Sequence, residues 1–199
     1  MRDSTLLPEL IFRAAECDAS APALTYGKAS LNYGGLSDAV TRLASGLLSL
    51  GLQRGERVAI YLEKRFETVI ASFGAPAAGG VFVPLNPLLK AEQVGYILRD
   101  CNVRVLVTSP ERLELLLDTL PTCCDLQHVV LLDSKYPLPA IDGLNVCRWS
   151  ELLAMPHKPG HRVIDNDVAG ILYTSGSTGK PKGVVLSHRN MVAGAKAVA

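Results

Sequence analysis

The sequence has almost no excess of charge of either sign. Twenty Lys and Arg residues oppose nineteen Asp and Glu residues, which leaves a net charge of +1 over 199 residues. This balance argues against nucleic acid or an anionic membrane as a partner held by bulk electrostatics. The chain also lacks internal repeats and low-complexity tracts. A hydrophobic fraction of 48% and a charged fraction of 20% are typical of an ordinary globular domain.

The cysteines do not form any recognisable framework. There are five of them, an odd number, and no Cys-x-x-Cys pair occurs among Cys17, Cys101, Cys123, Cys124 and Cys147. The pattern argues against a disulfide scaffold or a zinc site, so we assign no metal ligand and expect a reduced, cytoplasmic location. We expect all five to be free, buried thiols that pack as small hydrophobic groups.

A secretion signal and a membrane span are also not expected. The apolar run Leu6–Phe12 is interrupted by a proline and an acid and does not follow a basic segment. The stretch Thr68–Leu89 carries no charge over 22 residues, which is the length of a membrane span. Because it contains Pro76, Pro84 and Pro87, a buried helix followed by a buried strand explains it better.

Helical and strand patterns alternate along most of the chain. After an N-terminal segment, residues 1–22, with one short amphipathic helix, residues 23–199 carry the alternation. The predicted strands and helices are a hairpin around Gly27-Lys28 that reaches Tyr33, a helix ended by Gly51, strand Arg57–Leu62, helix Phe66–Ala78, strand Val81–Pro84, helix Ala91–Cys101, strand Val103–Thr108, helix Glu111–Leu120, strand Val129–Leu132, helix Trp149–Ala154 capped by Ser150, strand Val168–Tyr173, and a helix after Ser187. This order predicts an α/β fold with a largely parallel, doubly wound sheet flanked by helices.

One polar stretch stands between two apolar strands near the end of the chain. Tyr173–Gly183 reads Tyr-Thr-Ser-Gly-Ser-Thr-Gly-Lys-Pro-Lys-Gly. Its glycines let backbone N–H groups approach a ligand, successive N–H groups form an anion-binding nest, and hydroxyl and lysine side chains add donors and charge. These residue types predict a loop that wraps a polyphosphate.

Other kinds of glycine-rich loop fit this stretch less well. A flexible Ser/Gly linker has no reason to join two apolar strands or to carry Lys-Pro-Lys. A Walker A loop needs Gly-Lys-Ser/Thr, whereas here Lys182 precedes Gly183. The spacing Gly-x-Gly-x-x-Gly of dinucleotide-binding folds is also missing at this point.

The motif resembles the phosphate-binding signature of the adenylate-forming superfamily, which includes acyl-CoA synthetases, luciferases and the adenylation domains of peptide synthetases. The resemblance extends over roughly residues 7–199. Leu31–Leu36 is similar to the early Leu-Thr-Tyr-x-x-Leu motif, with Asn32 in place of the usual hydroxyl residue. Ala78–Pro87 matches the Ala-Gly-x-x-x-Val-Pro block, and its Asn86-Pro87 ending favours a carboxylic acid over an amino acid as substrate. The run from Ala78 to Val107 most resembles the acyl-CoA ligases associated with exosortase systems in Gram-negative bacteria.

The resemblance implies an AMP-forming acid–CoA ligase that uses ATP, Mg²⁺ and coenzyme A. Carried over to this sequence, the nucleotide-binding residues are Thr174, Ser175, Gly176, Ser177, Thr178, Gly179, Lys182 and Gly183. Lys180 occupies a variable position of the motif and is expected to face solvent. His188 is expected to cap or pack, and Tyr173 to pack at the end of its strand. No catalytic residue is assigned, because the family's adenine pocket, ribose-binding aspartate and C-terminal lysine have no counterpart here.

The last predicted helix runs to Ala199 without a stop signal. We therefore interpret residues 23–199 as the incomplete N-terminal portion of an AMP-binding domain and expect the isolated chain to be inactive. Two alternatives stay open: a non-catalytic nucleotide-binding remnant, and an adenylation domain that loads an amino acid onto a carrier protein. The acid substrate and the oligomeric state are not indicated by the sequence.

Overall fold

The computed structural model describes residues 4–133, 137–174 and 180–198. Its nine strands are β1 (Pro22–Tyr26), β2 (Ala29–Asn32), β3 (Arg57–Tyr61), β4 (Val81–Pro84), β5 (Val103–Thr108), β6 (His128–Leu131), β7 (Asn145–Arg148), β8 (Val168–Thr174) and β9 (Lys182–Ser187). The α-helices in the described ranges are α1 (Glu9–Cys17), α2 (Tyr33–Ser49), α3 (Phe66–Ala77), α4 (Ala91–Asp100), α5 (Pro110–Glu114), α6 (Trp149–Leu153) and α7 (His188–Val198).

A mixed sheet of seven strands organises the molecule, in the order β7-β6-β5-β3-β4-β8-β9. All neighbouring pairs from β7 to β8 are parallel, and only β9 runs antiparallel to its neighbour β8. β1 and β2 form a separate antiparallel hairpin. The predicted largely parallel α/β sheet is confirmed.

Helices cover both faces of this sheet, because the central strands are apolar on both sides. In β3, Val58 and Ile60 pack into one core with residues of α1, α2, α3 and α6. The intervening Ala59 and Tyr61 pack into a second core with residues of α4 and α5. This alternation of side chains along a strand buries both faces, as expected for a doubly wound sheet.

The long helix α2 has clear signals at both ends. Asn32 is its N-cap, and its side-chain oxygen accepts the Gly35 N–H at 2.8 Å. At the other end Gly51 adopts φ +91°, and the bond from the Leu52 N–H to the Leu47 carbonyl closes a Schellman motif. The predicted stop at Gly51 is confirmed, but Tyr33 begins the helix and does not extend the preceding strand.

Three local predictions were wrong. The helix predicted over Glu111–Leu120 is only the five-residue α5, followed by a short 3-10 turn at Leu120–Thr122. No strand was predicted where the structure has β7. Ser150 does not cap α6, because it lies inside the helix, whose N-cap is Arg148; its hydroxyl donates to the carboxylate of Asp133 at 2.7 Å.

The uncharged stretch Thr68–Leu89 is a buried helix followed by a buried strand, as predicted. It is divided between α3 and β4, and Pro76 lies in the last turn of α3. In the described part of the chain, none of the helices is long and apolar enough to cross a bilayer.

Candidate functional site

The predicted phosphate loop connects the two last strands of the sheet. β8 and β9 form an antiparallel stem in which Thr174 faces Lys182 and Tyr173 faces Gly183. Because β8 is parallel to β4, Thr174 lies at the carboxyl edge of the parallel strands, where open α/β sheets bind their ligands. The stem therefore directs the loop to the edge of the sheet that suits a binding site.

The structure describes three of the eight predicted nucleotide-binding residues. Thr174 ends β8 and Lys182 begins β9, and both are exposed. Gly183 lies one residue further along β9. The remaining five, Ser175, Gly176, Ser177, Thr178 and Gly179, lie outside the described residues.

At Gly183, one aliphatic and one aromatic side chain lie close to the backbone of β9. A Cβ added at this position would lie 2.8 Å from Ile171 Cγ2 and 3.2 Å from Cζ of the Tyr173 ring. Its φ is not in the positive region. The glycine is required here because the Tyr173 ring lies against the strand, so it shapes the stem on which the loop is carried.

Tyr173 is tied to helix α4 through a carboxylate. Its hydroxyl donates to Asp100 Oδ2 at 2.5 Å, and the Tyr96 hydroxyl donates to Asp100 Oδ1 at 3.3 Å. Burial, and then the hydrogen bond to Asp100, raise the pKa of Tyr173 far above its ordinary value. The phenol therefore stays protonated as a donor, and the predicted packing role of Tyr173 is joined by a hydrogen-bonding role.

Lys180 resumes the described chain on the other side of the loop. It is exposed, as predicted, and its Nζ lies 5.8 Å from the centroid of the Tyr96 ring. That distance is within the range of a cation–π contact. The chain segments on both sides of residues 175–179 thus contact side chains of α4.

His188 packs in the interior beneath the start of α7. It is 1% exposed, and its Nδ1 accepts the Leu7 N–H at 3.0 Å. Burial lowers the pKa of His188 below its ordinary value, so the ring is neutral at pH 7. The predicted packing role is confirmed, and the N-cap of α7 is Ser187, whose Oγ accepts the Asn190 N–H at 3.2 Å.

Arg112 of α5 joins two loops at the carboxyl edge of the sheet. Its guanidinium lies 2.6 Å from Glu63 Oε1, donates to the Pro87 carbonyl at 2.6 Å, and stacks 4.8 Å from the centroid of the Tyr61 ring. Glu63 follows β3 and Pro87 follows β4. This arginine therefore fixes the edge from which the neighbouring strand β8 also delivers its loop.

A cavity of about 310 Å³ opens further along the same edge, beside Ser109 and Asp133. Its lining also includes Arg65, Glu67 and Glu111, which gives one guanidinium against three carboxylates. Arg65 is already paired with Glu67 at 2.7 Å. The balance of charge disfavours a polyphosphate there, so the β8–β9 stem is the better anion site.

The cysteines differ from the prediction of five buried thiols. Cys101 and Cys123 are buried, but Cys17 and Cys124 are exposed. Burial raises the pKa of the half-buried Cys147 to about 11. Among the residues described, no three His, Cys, Asp or Glu side chains come together as a metal site would require.

Comparison with known proteins gives one family and many relatives. Residues 11–199 match the family described as AMP-binding enzyme. The chain is 35% identical over 169 residues to a crotonobetaine/carnitine–CoA ligase of Salmonella enteritidis, which covers 80% of this chain and 31% of the relative. It is 34% identical to the long-chain-fatty-acid–CoA ligase ACSBG2 of Rattus norvegicus, covering 97% of this chain and 31% of the relative.

Solved structures show the same architecture. The crystal structure of the anthranilate CoA ligase AuaEII in complex with anthranoyl-AMP superimposes with a TM-score of 0.82 at 26% identity, covering 92% of this chain and 35% of that one. A structure of a long-chain-fatty-acid CoA ligase from Rhodopseudomonas palustris reaches a TM-score of 0.86 at 21% identity, covering 97% and 47%, and supports the fold. The chain spans about a third of the length of the curated relatives named above.

Proposed function

Because the chain belongs to the AMP-binding enzyme family, we propose that it supplies the ATP phosphate-binding loop of an AMP-forming carboxylate–CoA ligase. The overall reaction joins a carboxylic acid to AMP, with release of pyrophosphate, and then transfers the acyl group to coenzyme A. The observation that carries this proposal is the β8–β9 stem, which holds the exposed Thr174 and Lys182 side by side at the carboxyl edge of the sheet.

The proposed binding set is Thr174, Ser175, Gly176, Ser177, Thr178, Gly179, Lys182 and Gly183. The hydroxyls and backbone N–H groups would donate to the phosphate oxygens, and the Lys182 ammonium would neutralise part of their charge. Supporting this assignment, Thr174 and Lys182 face each other across the stem. A ligand that spans the loop would therefore meet a hydroxyl and an ammonium together.

In the adenylation step, positioning and neutralisation of charge carry most of the catalysis that a protein provides. The substrate carboxylate attacks the α-phosphorus, and the bond to the leaving pyrophosphate breaks. The loop would hold the β- and γ-phosphates in line for that displacement and stabilise the negative charge on the leaving group. Mg²⁺ would neutralise part of the phosphate charge, while Thr174 and Lys182 would donate hydrogen bonds to the same phosphates.

The second step needs coenzyme A as co-substrate, whose thiol attacks the acyl-AMP carbonyl and displaces AMP. The relatives named as CoA ligases, and the CoA ligase solved with anthranoyl-AMP, support this pair of reactions. We propose a cytoplasmic enzyme in which residues 23–199 form the N-terminal portion of the AMP-binding domain. We also propose the exosortase-associated acyl-CoA ligases as its subgroup, on the resemblance of the run from Ala78 to Val107.

No catalytic residue is assigned in this chain, and the expected activity of the isolated 199 residues is nil. A purified chain that catalyses pyrophosphate exchange with a carboxylic acid and ATP would disprove this. A non-catalytic nucleotide-binding remnant would bind ATP, and the same chain joined to the rest of a ligase would still not turn over. An adenylation domain for an amino acid is disfavoured by Asn86, where such domains usually carry aspartate.

The loop assignment can be tested by titrating MgATP and pyrophosphate into the chain by isothermal calorimetry. Lys182→Ala should weaken binding about 10- to 100-fold, because a hydrogen bond to a charged group contributes roughly 1.5–3 kcal/mol. The matched control is Lys28→Ala, which removes an exposed lysine from the β1–β2 turn. Equal affinities of Lys182→Ala and the control would refute the assignment of Lys182 to the phosphates.

A further inference from the structure

Asp100 occupies a position at which its charge does not help its own helix. It is the last residue of α4, where the partial negative charge of the helix C-terminus disfavours a carboxylate. Its two oxygens instead accept hydrogen bonds from two phenols, one on α4 itself and one on β8. These two hydrogen bonds offset the unfavourable placement of the carboxylate at the helix end.

The two phenols hold the chain on either side of residues 175–179. Tyr173 immediately precedes Thr174, the last described residue before the loop, and its hydroxyl lies 2.5 Å from Asp100 Oδ2. The ring of Tyr96 lies under the ammonium of Lys180, the first described residue after the loop. Asp100 accepts a hydrogen bond from the hydroxyl of each of these two tyrosines.

Glycine at position 183 allows this arrangement. The ring of Tyr173 lies against the backbone of β9, where any Cβ at position 183 would meet it. Tyr173 thus contacts the opposite strand of the stem with its ring and helix α4 with its hydroxyl. The Tyr173 side chain thus links the stem to α4 through Asp100.

We propose that Asp100 is a positioning residue that, through Tyr173 and Tyr96, holds the chain on both sides of residues 175–179 and so places Thr174 and Lys182 for polyphosphate. The inference rests on the proposed function and names a residue of that same site. Preorganisation lowers the conformational entropy that must be lost when a loop binds its ligand. Loss of the Asp100 acceptor should therefore weaken binding without removing any group that touches the phosphates.

The experiment compares Asp100→Ala, Tyr173→Phe and the double variant in the full chain. Tyr173→Phe removes the hydroxyl and keeps the ring against Gly183. The matched control is Asp38→Asn, which neutralises an exposed carboxylate on α2. Three readouts are needed: the Kd for pyrophosphate, the free energy of unfolding in urea, and hydrogen exchange of the backbone amides at 174 and 180–183.

The proposal expects Tyr173→Phe to raise the Kd about tenfold and Asp100→Ala to raise it at least as much, because the latter also removes the acceptor of Tyr96. The double variant should be no worse than Asp100→Ala, because both single variants remove the Tyr173–Asp100 hydrogen bond. Amide exchange at the stem should accelerate before ligand is added, while the control behaves as wild type. A purely structural role would lower the unfolding free energy and leave the Kd unchanged.

Any other outcome overturns the proposal. The outcomes also distinguish a failure of the role proposed for Asp100 from a failure of the phosphate-loop assignment. Unchanged exchange at the stem refutes positioning whether or not ligand binds. Faster exchange with a wild-type Kd refutes it as well, provided that Lys182→Ala weakens binding. If Lys182→Ala also binds pyrophosphate as wild type does, the loop assignment itself is wrong, and the role proposed for Asp100 falls with it.

Discussion

Replacing glycine by alanine should change the stability of the fold in opposite directions at Gly46 and Gly194. Gly46 lies in the last turn of α2, directly against α6. A Cβ added there would lie 2.6 Å from Leu152 Cγ and closer still to the Leu152 carbonyl oxygen. Gly194 lies in α7, and a Cβ there would meet nothing within 4 Å. Gly46→Ala should destabilise the fold, and Gly194→Ala should stabilise it.

The magnitudes follow from two opposing effects. Alanine in place of glycine favours a helix by about 1 kcal/mol, which is the whole effect expected at Gly194. At Gly46 this gain is opposed by overpacking, which costs roughly 1–3 kcal/mol in a well-packed core. The cost should lie at the upper end or beyond, because Leu152 is fully buried and a backbone carbonyl cannot rotate away. We expect a net loss of about 2 kcal/mol for Gly46→Ala.

Urea denaturation followed by circular dichroism measures both changes in the free energy of unfolding, and thermal denaturation gives the corresponding shifts in Tm. A domain of this size shifts its Tm by about 2–4 °C per kcal/mol. Gly46→Ala should therefore lower the Tm by about 4–8 °C, whereas Gly194→Ala should raise it by a few degrees. If both variants are stabilised equally, α2 and α6 do not pack as closely as described.

Three further predictions concern other parts of the chain. Arg112→Ala should lower the unfolding free energy by roughly 2–4 kcal/mol, since it removes a charge-assisted hydrogen bond, an ion pair and a cation–π contact. The control Arg42→Ala breaks only an exposed ion pair on α2 and should cost under 1 kcal/mol. Equal losses in the two variants would contradict the role given to Arg112 at the edge of the sheet. Burial lowers the pKa of His188 below its ordinary 6.5, so the unfolded chain binds the proton more tightly than the folded chain. The free energy of unfolding should therefore fall as the pH drops below about 6.5. In urea titrations at several pH values, His188→Gln should reduce this pH dependence, and an unchanged dependence would count against a buried neutral ring. Because the pKa of Cys147 is raised to about 11 and Cys124 is exposed, iodoacetamide at pH 8 should alkylate Cys124 first by peptide mass spectrometry, and the reverse order would refute the burial of Cys147.

The central sheet could be predicted because its strands are strongly apolar and separated by periodic helices. Strands β4 and β5 were predicted with the bounds that the structure gives them. β7 was missed because it is only four residues long and lies at the edge of the sheet, with the mixed sequence Asn-Val-Cys-Arg. Strand propensity in such an edge segment comes from its pairing with β6 and is not visible locally.

Turn and cap signals were reliable only where their partners are local. Asn32 replaces the hydroxyl residue of the related motif, and the structure explains the exchange because an amide oxygen caps a helix as well as a hydroxyl does. Ser150 satisfied the same local rule, but its hydroxyl bonds Asp133, which is distant in the sequence. The N-cap of α6 is Arg148, and Ser150 lies in the first turn of the helix.

In the candidate site, too, the residues of a local motif could be predicted and those that depend on tertiary contacts could not. Thr174 and Lys182 could be identified from a motif that is contiguous in the sequence. Asp100 and Tyr96 could not, because their contacts with Tyr173 and Lys180 join elements more than seventy residues apart. The spacing of Tyr96 and Asp100 by four residues indicates that they share a helix face, but nothing in the sequence indicates which strand that face meets.

The most direct test of the account is to observe which residues respond when a polyphosphate binds. Backbone amide resonances of the isotopically labelled chain should be recorded while pyrophosphate is added. The account predicts that the largest shifts fall at residues 174–183, with smaller shifts at the end of α4. Saturable shifts confined to the cavity beside Ser109 and Asp133, with the β8–β9 stem unaffected, would contradict it.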